Sequence, residues 1–403
     1  MRILIIHNHY KEAGGEDTVF FAEANLLEEH GHEVRRLTFS NSEVKSIKQK
    51  IEAAFGVIYN RKSAEIIENE LNAFRPDVVH VHNFFPLVSP AVFYICHKYK
   101  VPVVMTLHNY RLICPSALLH YDGKVQLGNV HKIFPLEAIR KKVYRNSAFQ
   151  TASIVLATGL HKMLGTWRKK VAKFIVLTPG AADLFLNSSL NLKPEQVVVK
   201  PNFSEEMGIG TENREDYYLY IGRLTPEKGI ETLLKAQQLH PFNLKIVGDG
   251  PLRSIVEQQA IKQPGVEYLG FRKREEAMQL LKKAKALIFP SEWMETFGMT
   301  IIEAFATGTP VIASKIGGAA HLVQHKYNGL HYTPQQAEEL AEQVEALEQN
   351  PVLADELGKN ARATYEQHFT PEANYNLIIQ IYQSAMGQKE RLASGALATE
   401  ASL

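Results

Sequence analysis

Cysteine is scarce. The 403 residues hold two, Cys96 and Cys114, too few for a disulfide framework and without the spacing of a zinc site. They read as two reduced thiols in a cytoplasmic protein. Long apolar runs are also missing. No stretch reaches the roughly 18 apolar residues that span a bilayer. Met1-Arg2-Ile3-Leu4-Ile5-Ile6 is too short for a signal peptide and reads as a buried first strand. There is no Walker lysine loop and no Gly-x-Gly-x-x-Gly after the first strand, which excludes a helicase or a dehydrogenase. No Asp-x-Asp is present to hold a diphosphate-bound cation, and no His/Cys cluster has ligand spacing. What remains is ordinary in composition. At 45% hydrophobic and 22% charged, the chain is a globular protein, not a disordered or fibrous one. One domain per about 100–200 residues gives two to four domains.

The net charge of +2 hides an asymmetry. Residues 1–203 hold 26 Lys and Arg against 17 Asp and Glu, and residues 204–403 hold 19 against 26. Ten basic residues and one acid, Glu137, lie between Lys132 and Lys173, with Ile139, Val143, Leu160, Met163 and Leu164 interleaved. Such a bias points to an anionic partner for the first half. Two readings stand: a helical pair packed on the domain with a solvated face, or an interfacial surface for anionic lipid. Nucleic acid is set aside, because stacking aromatics and a matching motif are missing.

Apolar runs alternate with amphipathic stretches, the pattern of an α/β protein with parallel sheets. Arg2–His7, Glu33–Thr38, Asp77–Val81, Pro102–Thr106, Lys173–Thr178 and Val197–Lys200 read as strands, with helices such as Asp17–His30 and Ala91–Lys98 between them. A second series then begins. Tyr217–Ile221, Asn243–Val247, Val266–Leu269, Ala286–Phe289 and Pro310–Ala313 read as strands, separated by helices over 229–239, 252–261, 274–283 and 299–307. The stretch from Lys200 to Asp216 reads as a linker. The expectation is two doubly wound domains, 1–203 and 204–370. Helices at 335–349, 352–368 and 371–388 follow, the last packing back toward the first domain, and residues 389–403 are expected to be disordered.

Three segments carry residues suited to chemistry. The loop Asn8 to Glu16 joins the first strand to the first helix, and its Gly14-Gly15 pair allows backbone to approach a ligand at a helix start. The segment Gly222-Arg223-Leu224-Thr225-Pro226-Glu227-Lys228-Gly229 puts two cations on a loop before a helix, where they can hold a diphosphate and stabilise charge on a departing phosphate. The third runs from Phe289 to Ala304. Glu295 falls on the loop after a strand and Glu303 about one turn into the following helix. Carboxylates accept hydrogen bonds from vicinal hydroxyls, so this pair suits a sugar and a ribose. Free amides at the helix start lie between them. Taken singly, each segment also reads as an ordinary turn, a solvated loop or a helix-start acid.

Together they resemble a known family. Glu295 and Glu303 with Phe297-Gly298 between them, then Ala306 to Ala313, then Gly317-Gly318, are similar to the signature of the group 1 glycosyltransferases. Gly222-Arg223-Leu224 with Lys228-Gly229, Val247-Gly248-Asp249-Gly250-Pro251 and the Gly14-Gly15 loop also match, in the family's order, over about residues 3–330. The resemblance implies a retaining enzyme of the GT-B fold: two doubly wound Rossmann-like domains facing across a cleft. Such an enzyme moves a sugar from a nucleotide-diphosphate donor, with a UDP-sugar as first guess, to a hydroxyl of a glycan or lipid-linked glycan. It implies that Arg223 and Lys228 bind the donor pyrophosphate and that Glu303 holds the ribose. Glu295 and the amides of Phe297, Gly298 and Met299 contact the transferred sugar. Leu269, Gly270 and Phe271 flank the base, Gly248 belongs to the same donor site, and Gly14 and Gly15 face the phosphates from the first domain. His108, after a strand, matches the family's N-domain histidine and points at the donor sugar or the reacting face. His7, His80 and His82 are expected to be core or loop residues.

Two departures stand out. His321 occupies the place of an acid after the paired glycines, and Pro201-Asn202-Phe203 lacks the usual Asn-Gly turn. With Arg223, Lys228 and helix dipoles to neutralise charge, no metal and no cofactor is expected. The alternatives are a nucleotide-sugar epimerase of similar fold and a non-catalytic nucleotide-sugar-binding partner subunit.

Overall fold

A computed structural model describes residues 1–9, 14–40, 56–210 and 214–400, with side chains as far as residue 387. It divides into two units, each with its own six-stranded parallel sheet. The first comprises Met1–Leu119, Gln126–Lys200 and Tyr375–Leu403; the second comprises His120–Val125 and Pro201–Asn374.

In chain order the first unit's strands are β1 (Arg2–His9), β2 (Glu33–Ser40), β3 (Val78–Asn83) and β4 (Val103–Thr106). A short antiparallel hairpin, β5 (His120–Tyr121) and β6 (Lys124–Val125), follows them in the chain. The sheet is completed by β7 (Lys173–Val176) and β8 (Val197–Val199), in the order β2-β1-β3-β4-β7-β8. Runs of Ile and Val bury both faces of β1 and β3, as a sheet covered by helices on each side requires. Ile3 and Ile5 pack with Phe20 and Leu27 of the Gly15–Glu29 helix and with Ile378, Ile381 and Tyr382 near the end of the chain.

The second unit holds β9 (Tyr218–Ile221), β10 (Leu244–Val247), β11 (Val266–Gly270), β12 (Ala286–Phe289), β13 (Val311–Ser314) and β14 (Gly329–Tyr332), in the order β11-β10-β9-β12-β13-β14. Tyr218, Ile246 and Ile288 of its sheet pack against Leu233 and Leu340 of the covering helices. In both sheets the strand order reverses beside the first strand. In an open parallel sheet this switch point separates the loops on the carboxyl side and opens a crevice there.

The structure differs from the sequence expectations at a few places. The final helix runs over Pro371–Glu400, whereas 389–403 was expected to be disordered. The Ala, Leu, Lys and Glu residues between 389 and 400 are strong helix formers, and that local preference outweighs the missing periodicity. A helix at Arg61–Phe74, capped by Asn60 through the amides of Lys62 and Ser63, was not anticipated, nor was β14. Part of the expected linker, residues 211–213, lies outside the described residues. Among the described residues, no helix is long and apolar enough to cross a membrane.

Candidate functional site

In the second unit, the loops after β9 and β12 flank the switch point, because these two strands pair side by side. Lys228 ends a 3-10 turn on the first loop, and Glu295 lies on the second. Lys228 Nζ donates to Glu295 Oε1 at 2.7 Å. The same oxygen accepts from Ser291 Oγ at 2.6 Å and from the indole Nε1 of Trp293 at 3.2 Å. Three donors on one oxygen fix the carboxylate's orientation. The Lys228 ammonium also lies 5.5 Å from the centre of the Trp293 ring, within cation–π range.

Two glycines make this closeness possible. Gly229 sits at φ 69°, and a Cβ there would lie 1.8 Å from the Pro290 carbonyl oxygen. The loops after β9 and β12 can therefore meet only at a residue without a side chain. Gly318 plays the same part against the Glu295 loop. Its N–H donates to the Glu295 carbonyl at 2.7 Å, and a Cβ there would lie 2.0 Å from the Phe297 carbonyl oxygen.

Beyond the Glu295 loop, Gly298 caps the Met299–Ala306 helix, whose first amides have no partner inside the helix. Phe297 is buried beneath it. Glu303 lies one turn in. It is buried, which pushes its carboxyl up, while Arg274 opposes the shift by donating to Oε1 from Nη2 at 3.0 Å and Nε at 3.2 Å. Arg223 is exposed on its loop. Gly248, after β10, donates its N–H to the carbonyl of Gly270 at the end of β11. The next residue, Phe271, is 72% exposed and presents its ring to solvent at the carboxyl edge of the sheet, with Leu269 half-buried behind it.

In the first unit, the equivalent switch point lies between β1 and β3. Gly14 caps the helix that begins at Gly15, and its N–H donates to Asp17 Oδ2 at 2.8 Å. A Cβ on Gly14 would meet nothing within 4 Å, so internal packing does not demand glycine there. Residues 10–13 of this loop lie outside the described residues. Next to it, Asn83 Nδ2 donates to Glu16 Oε1 at 3.2 Å, and the Asn109 side chain also hydrogen-bonds this carboxyl. Burial lifts the Glu16 carboxyl to about 7, against the opposing pull of Arg111. His108 follows β4, and its Nε2 lies 3.0 Å from Nδ1 of His82. Burial holds His108 well below the ordinary imidazole range.

Folding also gathers histidines and carboxylates into two groups. His7, His9 and Asp17 form one group and Glu23, His80 and His82 another, each with ligand atoms within 4.8 Å of one another. Sequence spacing could not reveal the second, which is drawn from a helix and a strand. In the first, Asp17 Oδ1 is shared by His7 Nε2 at 2.8 Å and His9 Nδ1 at 2.6 Å. In the second, the Lys200 ammonium already sits on Glu23 Oε1 at 2.5 Å.

Two family patterns divide the chain between them: Glycosyltransferase Family 4 matches residues 13–203, and Glycosyl transferases group 1 matches residues 203–364. The chain belongs to the group 1 glycosyltransferases. It is similar to an uncharacterised glycosyltransferase of Methanocaldococcus jannaschii, 26% identical over 336 residues and covering 80% of each chain. Among solved structures it resembles Anabaena HepE in complex with UDP-glucose, with a TM-score of 0.67 at 19% identity over 95% of this chain and 100% of that one. Sucrose-phosphate synthase from Thermosynechococcus elongatus gives a TM-score of 0.70 at 20% identity over 96% and 99%. These neighbours share its pair of parallel-sheet α/β domains, the GT-B fold.

In this glycosyltransferase Gly14, Lys228 and Glu295 fall on loops at the switch points, and the other anticipated residues follow or end neighbouring strands. Glu295 and Lys228 are in direct contact. Arg223, Gly248, Phe271 and Glu303 line the carboxyl side of the same sheet. His321, which stands where an acid was expected, is exposed on the short Ala319–Leu322 helix. Three residues went unnoticed: Ser291 and Trp293, which hold Glu295, and Arg274, which holds Glu303. Only Ser291 and Trp293 carried a signal, by lying inside the Glu295 loop.

Proposed function

We propose that this glycosyltransferase transfers a sugar, with retention of configuration and without a metal, from a nucleotide-diphosphate donor to a hydroxyl. The acceptor is a glycan or lipid-linked glycan in polysaccharide or glycolipid biosynthesis. The Lys228–Glu295 ion pair at the second unit's switch point carries this reading. An ammonium at that place neutralises charge on the departing diphosphate, with Arg223 as second cation. Glu295, held on Oε1, meets hydroxyls of the transferred sugar through its other oxygen, while the amides at Phe297, Gly298 and Met299 approach the same sugar. Glu303, steadied by Arg274, takes the ribose hydroxyls, and the exposed Phe271 ring covers the base. Gly14, Gly15 and His108 act from the first unit. HepE, a structural neighbour solved with UDP-glucose, makes UDP-sugars the first donors to try.

The test is a donor screen. Purified protein is incubated with UDP-, GDP-, ADP- and dTDP-sugars in EDTA, following nucleotide release and thermal shift. Slow turnover of one donor in EDTA supports a metal-independent transferase and names the sugar. Turnover that disappears in EDTA and returns with a divalent cation refutes metal independence. Stabilisation without turnover, even after acceptors are added, favours the binding-subunit alternative. The anomeric coupling constant of the product's new linkage, read by NMR, tests retention.

A second observation bears on where the acceptor is met. The Ala148–Met163 helix leaves Phe149, Leu156 and Met163 more than 49% exposed on one side, and an apolar groove of about 300 Å³ lies between Leu136, Phe149 and Leu156. The basic residues of 132–173 surround this stripe in sequence. An apolar stripe with a cationic rim suits an anionic bilayer. We therefore place lipid-linked acceptors at the inner face of the cytoplasmic membrane. Flotation with anionic liposomes at low salt tests this, and no binding there would sink it.

A further inference from the structure

Beneath His108 lies a buried chain of ionisable groups that the transfer reaction has not so far used. Glu23, on the first helix, is 1% exposed, and Lys200, the residue after β8, is 0% exposed. Lys200 Nζ donates to Glu23 Oε1 at 2.5 Å. The other carboxylate oxygen, Oε2, lies 3.3 Å from His82 Nε2, close enough that two facing lone pairs would repel, and neither atom makes a hydrogen bond to any other group. Nδ1 of His82 then meets Nε2 of His108 at 3.0 Å. A continuous line thus runs from ammonium to carboxylate to imidazole to imidazole, built from four separate chain segments. His80, beside it, is held by the hydroxyls of Tyr382 and Thr106 at 2.8 Å each.

The line has a direction. A carboxylate paired with an ammonium is ionised and can only accept hydrogen bonds. Burial alone would raise the Glu23 carboxyl, but the Lys200 ammonium beside it holds it well below the ordinary range. His82 Nε2 must then be the nitrogen that carries the proton. One carboxylate already compensates one buried ammonium here, so a second cation on His82 would stand uncompensated. Neutral His82 accepts at Nδ1, and His108 must therefore donate from Nε2. That leaves Nδ1 of His108 as its unprotonated, accepting nitrogen. An imidazole that accepts at its working nitrogen can take a hydrogen bond from a sugar hydroxyl; the opposite tautomer would offer that hydroxyl a donor instead.

We propose that Glu23, anchored by Lys200, and His82 are positioning residues that fix His108 in the Nε2–H tautomer so that its Nδ1 accepts from a hydroxyl of the transferred sugar. This rests on the reading that His108 meets that sugar.

The experiment is 15N NMR of the full chain labelled at histidine, with the His108 signals assigned by their loss in His108→Asn. The expected result is a neutral His108 with a protonated Nε2 and a bare Nδ1, and the same tautomer for His82 inverted in role, Nε2–H toward Glu23. A His108 protonated at Nδ1, or a His82 found as imidazolium at neutral pH, overturns the proposal, and neither observation needs a variant to fold. The double variant Glu23→Gln, Lys200→Met removes both buried charges and lets the Gln amide donate to His82. The line can then reverse, moving the His108 proton to Nδ1 and lowering kcat about 10–100-fold with donor KM little changed. A variant that loses stability but keeps the wild-type tautomer and kcat has a structural role only and refutes the positioning role. Full activity in His108→Ala would instead remove His108 from the reaction, whatever its tautomer.

Discussion

Lys200→Met is the sharpest perturbation of the first unit. It deletes the ammonium 2.5 Å from Glu23 Oε1 and leaves the carboxylate at a site where both side chains are at most 1% exposed. Removing one partner of a buried pair costs about 3–5 kcal/mol, because the remaining charge is uncompensated. In a domain of this size each kcal/mol moves the midpoint by about 2–4 °C, so Tm should fall by roughly 6–20 °C at pH 7. The pH dependence should change sign. In the native protein the Glu23 carboxyl is depressed, so its contribution is present above the ordinary carboxylate range and is lost as pH falls through the depressed value. Without Lys200, burial dominates and the carboxyl rises. Lys200→Met should then lose stability as pH climbs from 5 to 7, and its deficit against wild type should shrink at pH 5. Adding Glu23→Gln should recover most of the loss, since neither charge is then stranded. Thermal unfolding followed by circular dichroism at pH 5 and pH 7 reads all three. A Lys200→Met protein within about 1 kcal/mol of wild type at pH 7 would show that the carboxylate does not depend on the ammonium.

Other outcomes follow from the same geometry. Lys228→Ala and Glu295→Ala should each reduce transfer at least about 100-fold, the scale of removing one preorganised charge-stabilising group, in proteins that still fold; full activity in either purified variant removes that residue from the mechanism. Glu16, raised to about 7 by burial, favours its protonated form in the folded chain, so its contribution is present below the ordinary carboxylate pKa and declines as pH rises through about 7. Glu16→Gln should therefore flatten the fall in Tm between pH 5 and pH 8, and an unchanged slope would contradict the shift. Phe271→Ala should leave Tm unchanged, because the ring is 72% exposed, while weakening nucleotide binding by about 1–3 kcal/mol if the base stacks on it; calorimetry with UDP decides.

The two units were legible because parallel strands covered on both faces need continuous apolar runs, and β1, β3 and β12 supply them. Glu295, Lys228 and Glu303 could be picked out for a related reason. A switch-point crevice is built from the loops that follow strands, and those residues stand directly after strands or at the helix start beyond them. Segments with weak apolar content, such as β14 and the Arg61–Phe74 helix, were missed because their stability comes from burying a few residues against neighbours.

Sequence by itself determined the class of fold, the two large parallel sheets and which loops carry the polar residues, since each follows from local periodicity and from glycine at fixed offsets. Tertiary structure alone decided the partners. Arg274 reaches Glu303 across 29 residues, Lys228 reaches Glu295 across 67, and Lys200 reaches Glu23 across 177. Hydrogen bonds and ion pairs act over about 3 Å of space whatever the distance along the chain. Strand order, which sets β9 beside β12, lets the loops of Lys228 and Glu295 touch, and the other two pairs depend on how the helices carrying Arg274, Glu303 and Glu23 pack.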